Sequence, residues 1–385
     1  MLERRDTFRE VTETNKSLQL TMVTSAGLVH NAGWQSINNE VGIYKEEMKE
    51  TDVVIIGAGP AGSVCGNLLK EAGVDCVLVD FQKFPRDKVC GGGLTPKAWH
   101  LLEEMMPDLK YAYNPIRQVR TLIDGKEVLV AELSEELRIV KRKDFDHMLL
   151  QRYLQKDGTF IQDAFSLFEE LEDQRILVTL QSGAQLKCRY LVAADGANSR
   201  VRHQMFGLYH AKILCIEQYM EKTSNVLEVE ISSRFDHGYY YKFPQEDCDV
   251  VGYGDRRTSK DGFRQLLAEK GFAENKLLGA NIPVEVVESD RDHIILIGDA
   301  GGFANKLTYE GLYYAMVTGR NASVAITKGI SFREANRIIF QKKRRQRWIT
   351  ELFYSPVGRG IVRVCGLSPR IVRWICDRKI ARRRD

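Results

Sequence analysis

The chain has little that would commit it to a membrane span, a metal or a disulfide scaffold. No uncharged apolar run reaches about eighteen residues, so no transmembrane helix is expected. The eight cysteines (Cys65, Cys76, Cys90, Cys188, Cys215, Cys248, Cys365 and Cys376) form no CxxC pair and sit beside no histidine at zinc-ligand spacing. They read as free thiols of a reducing compartment, and no metal site is expected. The chain opens with Glu3, Arg4, Arg5 and Asp6 and shows no apolar core before a small-residue cleavage site, so a secretory signal is not expected and a cytoplasmic location is. Neither charge sign dominates: 56 Lys+Arg against 52 Asp+Glu leave +4, too little to imply nucleic acid. With 44% hydrophobic and 28% charged residues, collagen-like, low-complexity and disordered chains are excluded. A length of 385 residues predicts two or three domains.

The charge is unevenly spread. Arg333 to Asp385 holds sixteen Lys+Arg against four Asp+Glu, so the rest of the chain is net acidic. Apolar residues interleave with this basic run: Ile338, Ile339, Phe340, Trp348, Phe353, Ile371, Val372, Trp374 and Ile375. The pattern predicts amphipathic helices. They suit a solvated cap on the domain or contact with an anionic membrane surface.

Residues 1–47 are polar and without clear periodicity, and read as an appended arm or a misassigned start. A buried strand then follows at Val53–Ile56, running into Gly57-Ala58-Gly59-Pro60-Ala61-Gly62 and a helix from Ser63 to Ala72. A second apolar strand, Cys76–Val79, ends in Asp80. Further buried strands are predicted at Tyr190–Ala194 and His293–Ile297, a helix at about 143–156, a hairpin at 160–181 and a meander of strands at 212–254.

The glycine loop carries the chemistry. Gly57 permits a tight turn, Gly59 lets the backbone approach a pyrophosphate, and Gly62 permits close helix–strand packing. The helix start offers free N–H groups to the phosphates. Asp80 lies 18 residues after Gly62, where its carboxylate can accept both hydrogen bonds of a ribose diol and would repel a 2′-phosphate. A strand before, a helix after and an acidic strand end together predict dinucleotide binding. The loop does not separate NAD from FAD. Two further Asp–Gly strand ends, Asp195-Gly196 and Gly298-Asp299, favour FAD, because an acceptor-only carboxylate suits ribityl hydroxyls.

These residues, with others, resemble the geranylgeranyl reductase family of flavoproteins, within the aromatic-hydroxylase-like superfamily. The resemblance runs from about Thr51 to Ala325. Phe84 to Leu94 is similar to the family's cysteine–glycine segment. Tyr239-Tyr240-Tyr241-Lys242-Phe243-Pro244 resembles its YxWxFP segment, with Tyr241 in place of Trp. Gly298-Asp299 through Ala315 resembles its second flavin segment, and Arg142 with Asp146 its Arg–x–x–x–Asp pattern. Lys306 and Tyr309 depart from it, standing where the family commonly has Pro and Gly.

The resemblance implies an α/β fold: a Rossmann-like FAD-binding domain (48–110, 141–205 and 285–330), an inserted antiparallel β-sheet substrate domain (111–140 and 206–284) and basic C-terminal helices (331–385). It implies that Ala61, Cys90, Gly91, Gly93, Arg142, Asp299, Gly311 and Leu312 line the flavin. Gly311 and Leu312 would turn a helix start toward the isoalloxazine. Cys90 is the candidate catalytic residue, or else a small buried hydrophobe. Tyr239, Tyr241 and Phe243, with Lys306 and Tyr309, are the candidate substrate pocket, though aromatics at alternating strand positions also build cores.

The expected activity is reduction of C=C bonds in a polyprenyl lipid, with an isoprenoid or other apolar small molecule as substrate. A flavin-dependent monooxygenase or halogenase, and a non-catalytic FAD-binding protein, are the alternatives; the halogenase WxWxIP segment is missing. No second GxGxxG is present, so NAD(P)H visiting the same pocket or a ferredoxin is the expected electron donor.

Overall fold

Val53 to Ile56 is apolar at every position because the strand that contains it is covered on both faces. In the computed structural model, Val54 and Ile56 pack on one side with Val77, Val79 and Leu191, and Val53 and Ile55 on the other with Leu69, Leu78 and Tyr153. The structure describes residues 49–355, the segments 21–24 and 39–42, and positions 357, 358, 360, 361 and 364. Two compact units result. The first, Met1–Lys49, holds two short parallel strands, β1 (Thr21–Thr24) and β2 (Asn39–Gly42); the rest of the expected arm lies outside the described residues. The second, Glu50–Asp385, holds everything else.

Its first sheet is parallel around β3 (Lys49–Ile56), β4 (Cys76–Asp80) and β8 (Thr159–Gln162). Beyond β3 come β11 (Gln185–Ala193), β10 (Ile176–Leu180) and β9 (Phe165–Glu170), with β17 (Ile294–Leu296) parallel to β11. The hairpin expected over 160–181 is therefore divided. Thr159–Gln162 follows helix α3 (Arg142–Leu154) and returns in parallel beside β4, as a helical crossover requires. Only β9 and β10 form the hairpin. Helix α1 (Pro60–Glu71) begins three residues before the expected start, because proline's fixed φ suits the first helical position.

The second sheet draws strands from both expected insert segments and one, β5, from the cysteine–glycine segment before them. Its order is β16 (Leu278–Pro283), β12 (Lys212–Glu221), β15 (Cys248–Asp255), β14 (Tyr239–Pro244), β13 (Val226–Ile231), β6 (Asn114–Ile123), β7 (Lys126–Ile139) and β5 (Gly93–Leu94). It is antiparallel except where β13 meets β6. That parallel seam joins two segments about a hundred residues apart, so it replaces the simple meander. Helix α5 (Lys260–Glu269) packs on one face through Tyr240, Val251, Tyr253, Phe263 and Leu267. By strand alternation, Tyr239, Tyr241 and Phe243 point to the other face.

The C-terminal helices divide the apolar residues of the basic tail. Helix α6 (Leu312–Lys328) joins a core with α2 (Pro96–Met105) and α3, against which the short α7 (Phe332–Ala335) packs Phe332 and to which α8 (Arg337–Tyr354) adds Ile339 and Phe340. Ile338, Trp348, Ile349 and Leu352 on α8 remain exposed. Positions 365–385, including Ile371, Val372, Trp374 and Ile375, lie outside the described residues. One member of the basic run is itself buried: Lys343, whose Nζ donates to the Ala304 carbonyl and lies 5.1 Å from the Tyr314 ring centroid.

Burial pulls Lys343 from 10.5 down to about 7. The unfolded chain keeps that proton up to pH 10.5, so stability rises with pH between about 7 and 10.5, by at most about 1.4 kcal/mol per pH unit. Below pH 7 the burial penalty is fully present. Lys343→Met is therefore expected to gain stability over the wild type at pH 6 and to lose that gain progressively toward pH 10, as read by urea midpoints. A pH-independent difference would show that Lys343 titrates normally.

Candidate functional site

Four strand ends of the first sheet, those of β3, β4, β11 and β17, meet at one edge, and glycines set how closely. Gly57 has φ +106°, and a Cβ there would lie 2.3 Å from the Ala194 carbonyl oxygen. A Cβ at Gly62 would lie 1.9 Å from the Gly57 oxygen. Both positions are thus closed to side chains by backbone. Gly59 differs: its only near neighbour is Arg86 Nη2 at 3.4 Å, so the loop presents an open face there. Behind it α1 starts, its first N–H groups free of intrahelical acceptors. Asp80 anchors the loop from β4: Oδ2 accepts from the Ala58 N–H at 2.8 Å and Oδ1 from the Gln82 N–H at 2.9 Å.

The ends of β11 and β17 are tied by Arg202. This buried side chain on α4 (Arg200–Phe206) donates to the carbonyls of Ala197, Asp299 and Ala300 at 2.6–3.0 Å. Asp195 accepts from the Arg200 N–H at 2.7 Å, while its Oδ1 is buried with no hydrogen-bond partner among the described residues, and burial raises its pKa. The turn Gly298–Gly301 carries Asp299, with Gly298 in left-handed conformation and its N–H on Thr318 Oγ1 at 2.9 Å. A Cβ at Gly298 would lie 3.0 Å from Ala61 Cβ, so α1 and this turn touch at two small residues. Gly311 caps α6, which Leu312 opens, and a Cβ at Gly311 would lie 3.7 Å from Asp299 Oδ1. Burial pushes Asp299 up, while Lys88, Arg142, Arg202 and Lys343 pull it down.

The cysteine–glycine segment joins the two sheets. Asp146, wholly buried, holds Arg142 in a two-point pair at 2.7 and 2.8 Å and also receives Arg86 at 3.1 Å. Arg142 stands beside the Cys90 thiol. A Cβ at Gly91 or Gly93 would lie 2.9 or 2.8 Å from the Phe243 ring, so only glycine lets this segment lie on the second sheet.

The ring centroids of Tyr239 and Tyr241 are 6.1 Å apart, and those of Tyr241 and Phe243 5.3 Å. Tyr309 extends the row, stacking on Tyr239 at 5.4 Å. It keeps a left-handed φ of +54°, and its hydroxyl donates to the His237 carbonyl. Lys306 is not brought to this row. Its Nζ pairs with Glu285 at 3.2 Å and Glu351 at 3.1 Å, so the expected pocket lysine is a strut between the loop and α8.

The sequence passed over three residues that the fold brings here: Arg86, Arg202 and Glu217. Arg86 lies inside the Phe84 to Leu94 segment and Arg202 a helical turn or so beyond Asp195-Gly196, but only packing shows where their donors point. Glu217 has one indirect signal, the alternating glycines Gly252 and Gly254 on the neighbouring strand.

The edge fits FAD on two observations. Arg86 Nη1 is buried with no hydrogen-bond partner among the described residues, next to the open face of Gly59, which suits a pyrophosphate. The acceptor-only carboxylates of Asp80 and Asp299 stand at separate strand ends, which suits the hydroxyls of an extended molecule. Among the described residues no group of three or more His, Cys, Asp or Glu is placed to hold a metal ion.

Comparison with known proteins agrees. Residues 50–212 match the family described as FAD binding domain. An uncharacterized protein of Methanosarcina barkeri is 30% identical over 307 residues, covering 74% of this chain and 76% of that one. The menaquinone reductase of Mycolicibacterium smegmatis is 28% identical, covering 72% and 76%. The chloroplastic geranylgeranyl diphosphate reductase of Arabidopsis thaliana is 24% identical, covering 72% and 66%. A geranylgeranyl bacteriochlorophyll reductase-like protein from Thermoplasma acidophilum has the same fold, with a TM-score of 0.74 at 16% identity over 86% of this chain and 96% of that one. The FAD-binding domain and the reductases among its relatives define an FAD-dependent oxidoreductase. Within that class, the chain belongs to the geranylgeranyl reductase family.

Asp80→Ala removes the expected ribose acceptor and the anchor of Ala58. FAD affinity is expected to fall about tenfold to a hundredfold, the worth of a hydrogen bond to a charged group, measured by quenching of flavin fluorescence on titration. Unchanged affinity would place the ribose elsewhere.

Proposed function

We propose that this chain saturates C=C bonds of a prenyl lipid. The observation that carries this is the aromatic row Tyr309, Tyr239, Tyr241 and Phe243, whose last ring lies on Gly91 and Gly93. An apolar wall there runs without interruption from the second sheet to the cofactor segment, and it suits a long hydrocarbon chain better than a small polar substrate. The names of relatives point the same way, to reductases of menaquinone and of geranylgeranyl diphosphate.

In this proposal Gly57 to Gly62 and Arg86 hold the pyrophosphate, Asp80 the ribose and Asp299 the ribityl chain. Ala61, Cys90, Arg142 and the helix start at Gly311 and Leu312 surround the ring system. Bound and reduced, FAD supplies the hydride equivalent. The protein's own task is position. An unactivated alkene accepts hydride poorly, so the row of rings must hold the double bond in a reactive geometry and keep water out. Cys90 sits where segment, Arg142 and second sheet meet, and is proposed to face the reacting carbons. Reducing equivalents come from NAD(P)H or a ferredoxin.

The lipid is reached at a membrane surface. Trp348 is 80% exposed, and Ile349 and Leu352 beside it are also open, amid exposed Arg344, Arg345 and Arg347. Apolar side chains among cations match the boundary of an anionic bilayer. No helix among the described residues is long and apolar enough to cross a membrane.

Two measurements test this. Reduced protein incubated anaerobically with prenyl lipids is expected to yield products heavier by one hydrogen pair per double bond; intact lipids with a fully reduced flavin would refute the activity. Trp348→Ala is expected to weaken sedimentation with phosphatidylglycerol vesicles about tenfold or more, the worth of one buried aromatic ring. Equal binding by both proteins would remove α8 from the interface.

A further inference from the structure

The second sheet carries a carboxyl group that the assignments above leave unused. Glu217 on β12 is 1% exposed. It lies opposite Gly252 on β15, which in turn lies opposite Tyr241 on β14, so the three form one row across the sheet. The glycine makes the row work. A Cβ at Gly252 would lie 2.6 Å from Tyr241 Oη and 2.8 Å from Glu217 Cβ. Without it, the tyrosine hydroxyl reaches across the middle strand and donates to Glu217 Oε2 at 2.9 Å. The adjacent row repeats the device, with Tyr239, Gly254 and Cys215; a Cβ at Gly254 would lie 2.2 Å from Cys215 Sγ. Glycine inside a strand weakens it, by roughly 0.5–1 kcal/mol each. Two at alternate positions make room for the Tyr241 hydroxyl and the Cys215 thiol at a cost in stability.

The other carboxyl oxygen, Oε1, is buried with no hydrogen-bond partner among the described residues. An ionised carboxylate with a bare buried oxygen is costly. A neutral acid, with its proton on Oε1, lowers that cost by removing the charge. The groups that face it are Tyr241 from β14, the Cys90 backbone and Lys88 from the cofactor segment, Arg142 from α3, and Cys215 and Tyr219 from its own strand. Burial has the largest effect and raises the Glu217 pKa, while Tyr241, Cys90, Lys88 and Arg142 lower it in part.

We propose that Glu217, held in place by Tyr241, is the acid that delivers the proton in double-bond reduction; this rests on the prenyl-reductase reading above. Saturation breaks the π bond of the alkene. The hydride equivalent of FAD chemistry makes one C–H bond. The π electrons make the second C–H bond with the proton of Oε1. The O–H bond breaks, its electron pair stays on the carboxylate, and the Tyr241 hydroxyl stabilises that charge. Water returns the proton before the next turnover. The Cys90 contact sets the acid against the segment that is proposed to line the ring system.

The test has two readouts. In protein without added cofactor, infrared spectra at neutral pH are expected to show a carboxylic-acid C=O band that Glu217→Gln abolishes. Tyr241→Phe removes a donor to the carboxylate, so the same band is expected to persist to higher pH than in the wild type. In single-turnover anaerobic reduction of a prenyl lipid, Glu217→Gln is expected to lose about a hundredfold or more in rate, the usual share of a general acid, with its FAD spectrum retained. The wild-type rate is expected to fall as pH rises through the titration of the band. A band that survives in Glu217→Gln, or an unchanged rate in that variant, overturns the proposal. A wild type that reduces no prenyl lipid overturns the activity itself, and the two failures are thereby distinguished.

Discussion

One buried carboxylate, Asp146, holds the site together. It takes Arg142 through two hydrogen bonds and Arg86 through a third contact, with no exposure to water. Two guanidinium groups so close repel each other unless an anion lies between them, and burying any charge is costly unless it is paired. Asp146 meets that requirement from the first turns of α3. The pairing leaves one surplus positive charge aimed at the cofactor edge. It also fixes two chain segments far apart in sequence: Arg86 begins the stretch that leads to Cys90, and Arg142 stands beside that thiol.

Glycine serves two separate physical ends in this molecule. At Gly57 and Gly62 it lets backbone approach backbone, which brings the strand ends to one edge. At Gly91, Gly93, Gly252 and Gly254 it makes room for side chains that come from elsewhere: Phe243 over the first pair, Tyr241 and Cys215 beside the second. The first use sharpens a turn. The second gives the aromatic row its footing and opens a path between Tyr241 and Glu217. Both trade local stability for a closeness that larger residues forbid.

The departures at Lys306 and Tyr309 acquire a common meaning from their contacts. Both lie in the loop between the turn at Asp299 and α6. Lys306 pairs outward with Glu285 and with Glu351 on α8, while Tyr309 stacks inward on Tyr239 and bonds to the His237 carbonyl. The loop is therefore fastened to the C-terminal helix on one side and the second sheet on the other. That double attachment offsets the strain of a left-handed tyrosine. Lys343, reaching from α8 to Ala304, adds a third tie to the same loop.

Local chemistry made the cofactor edge legible from the residues alone. The β3–α1 loop, Asp80 and the Asp–Gly strand ends are short-range patterns, because a turn that admits phosphate and a strand that is covered on both faces leave marks within a few residues. The alternation of Tyr239, Tyr241 and Phe243 likewise announced one shared face. What the sequence could not decide depends on partners distant along the chain. It did not show that β13 would pair in parallel with β6, that Thr159–Gln162 would leave its expected hairpin, or that Lys306 would turn to Glu351. It did not show where the side chains of Arg86, Arg202 and Glu217 would point, since that follows from which elements lie next to each other. Strand alternation tells a residue which face it takes, but only the assembled sheet decides what stands opposite it.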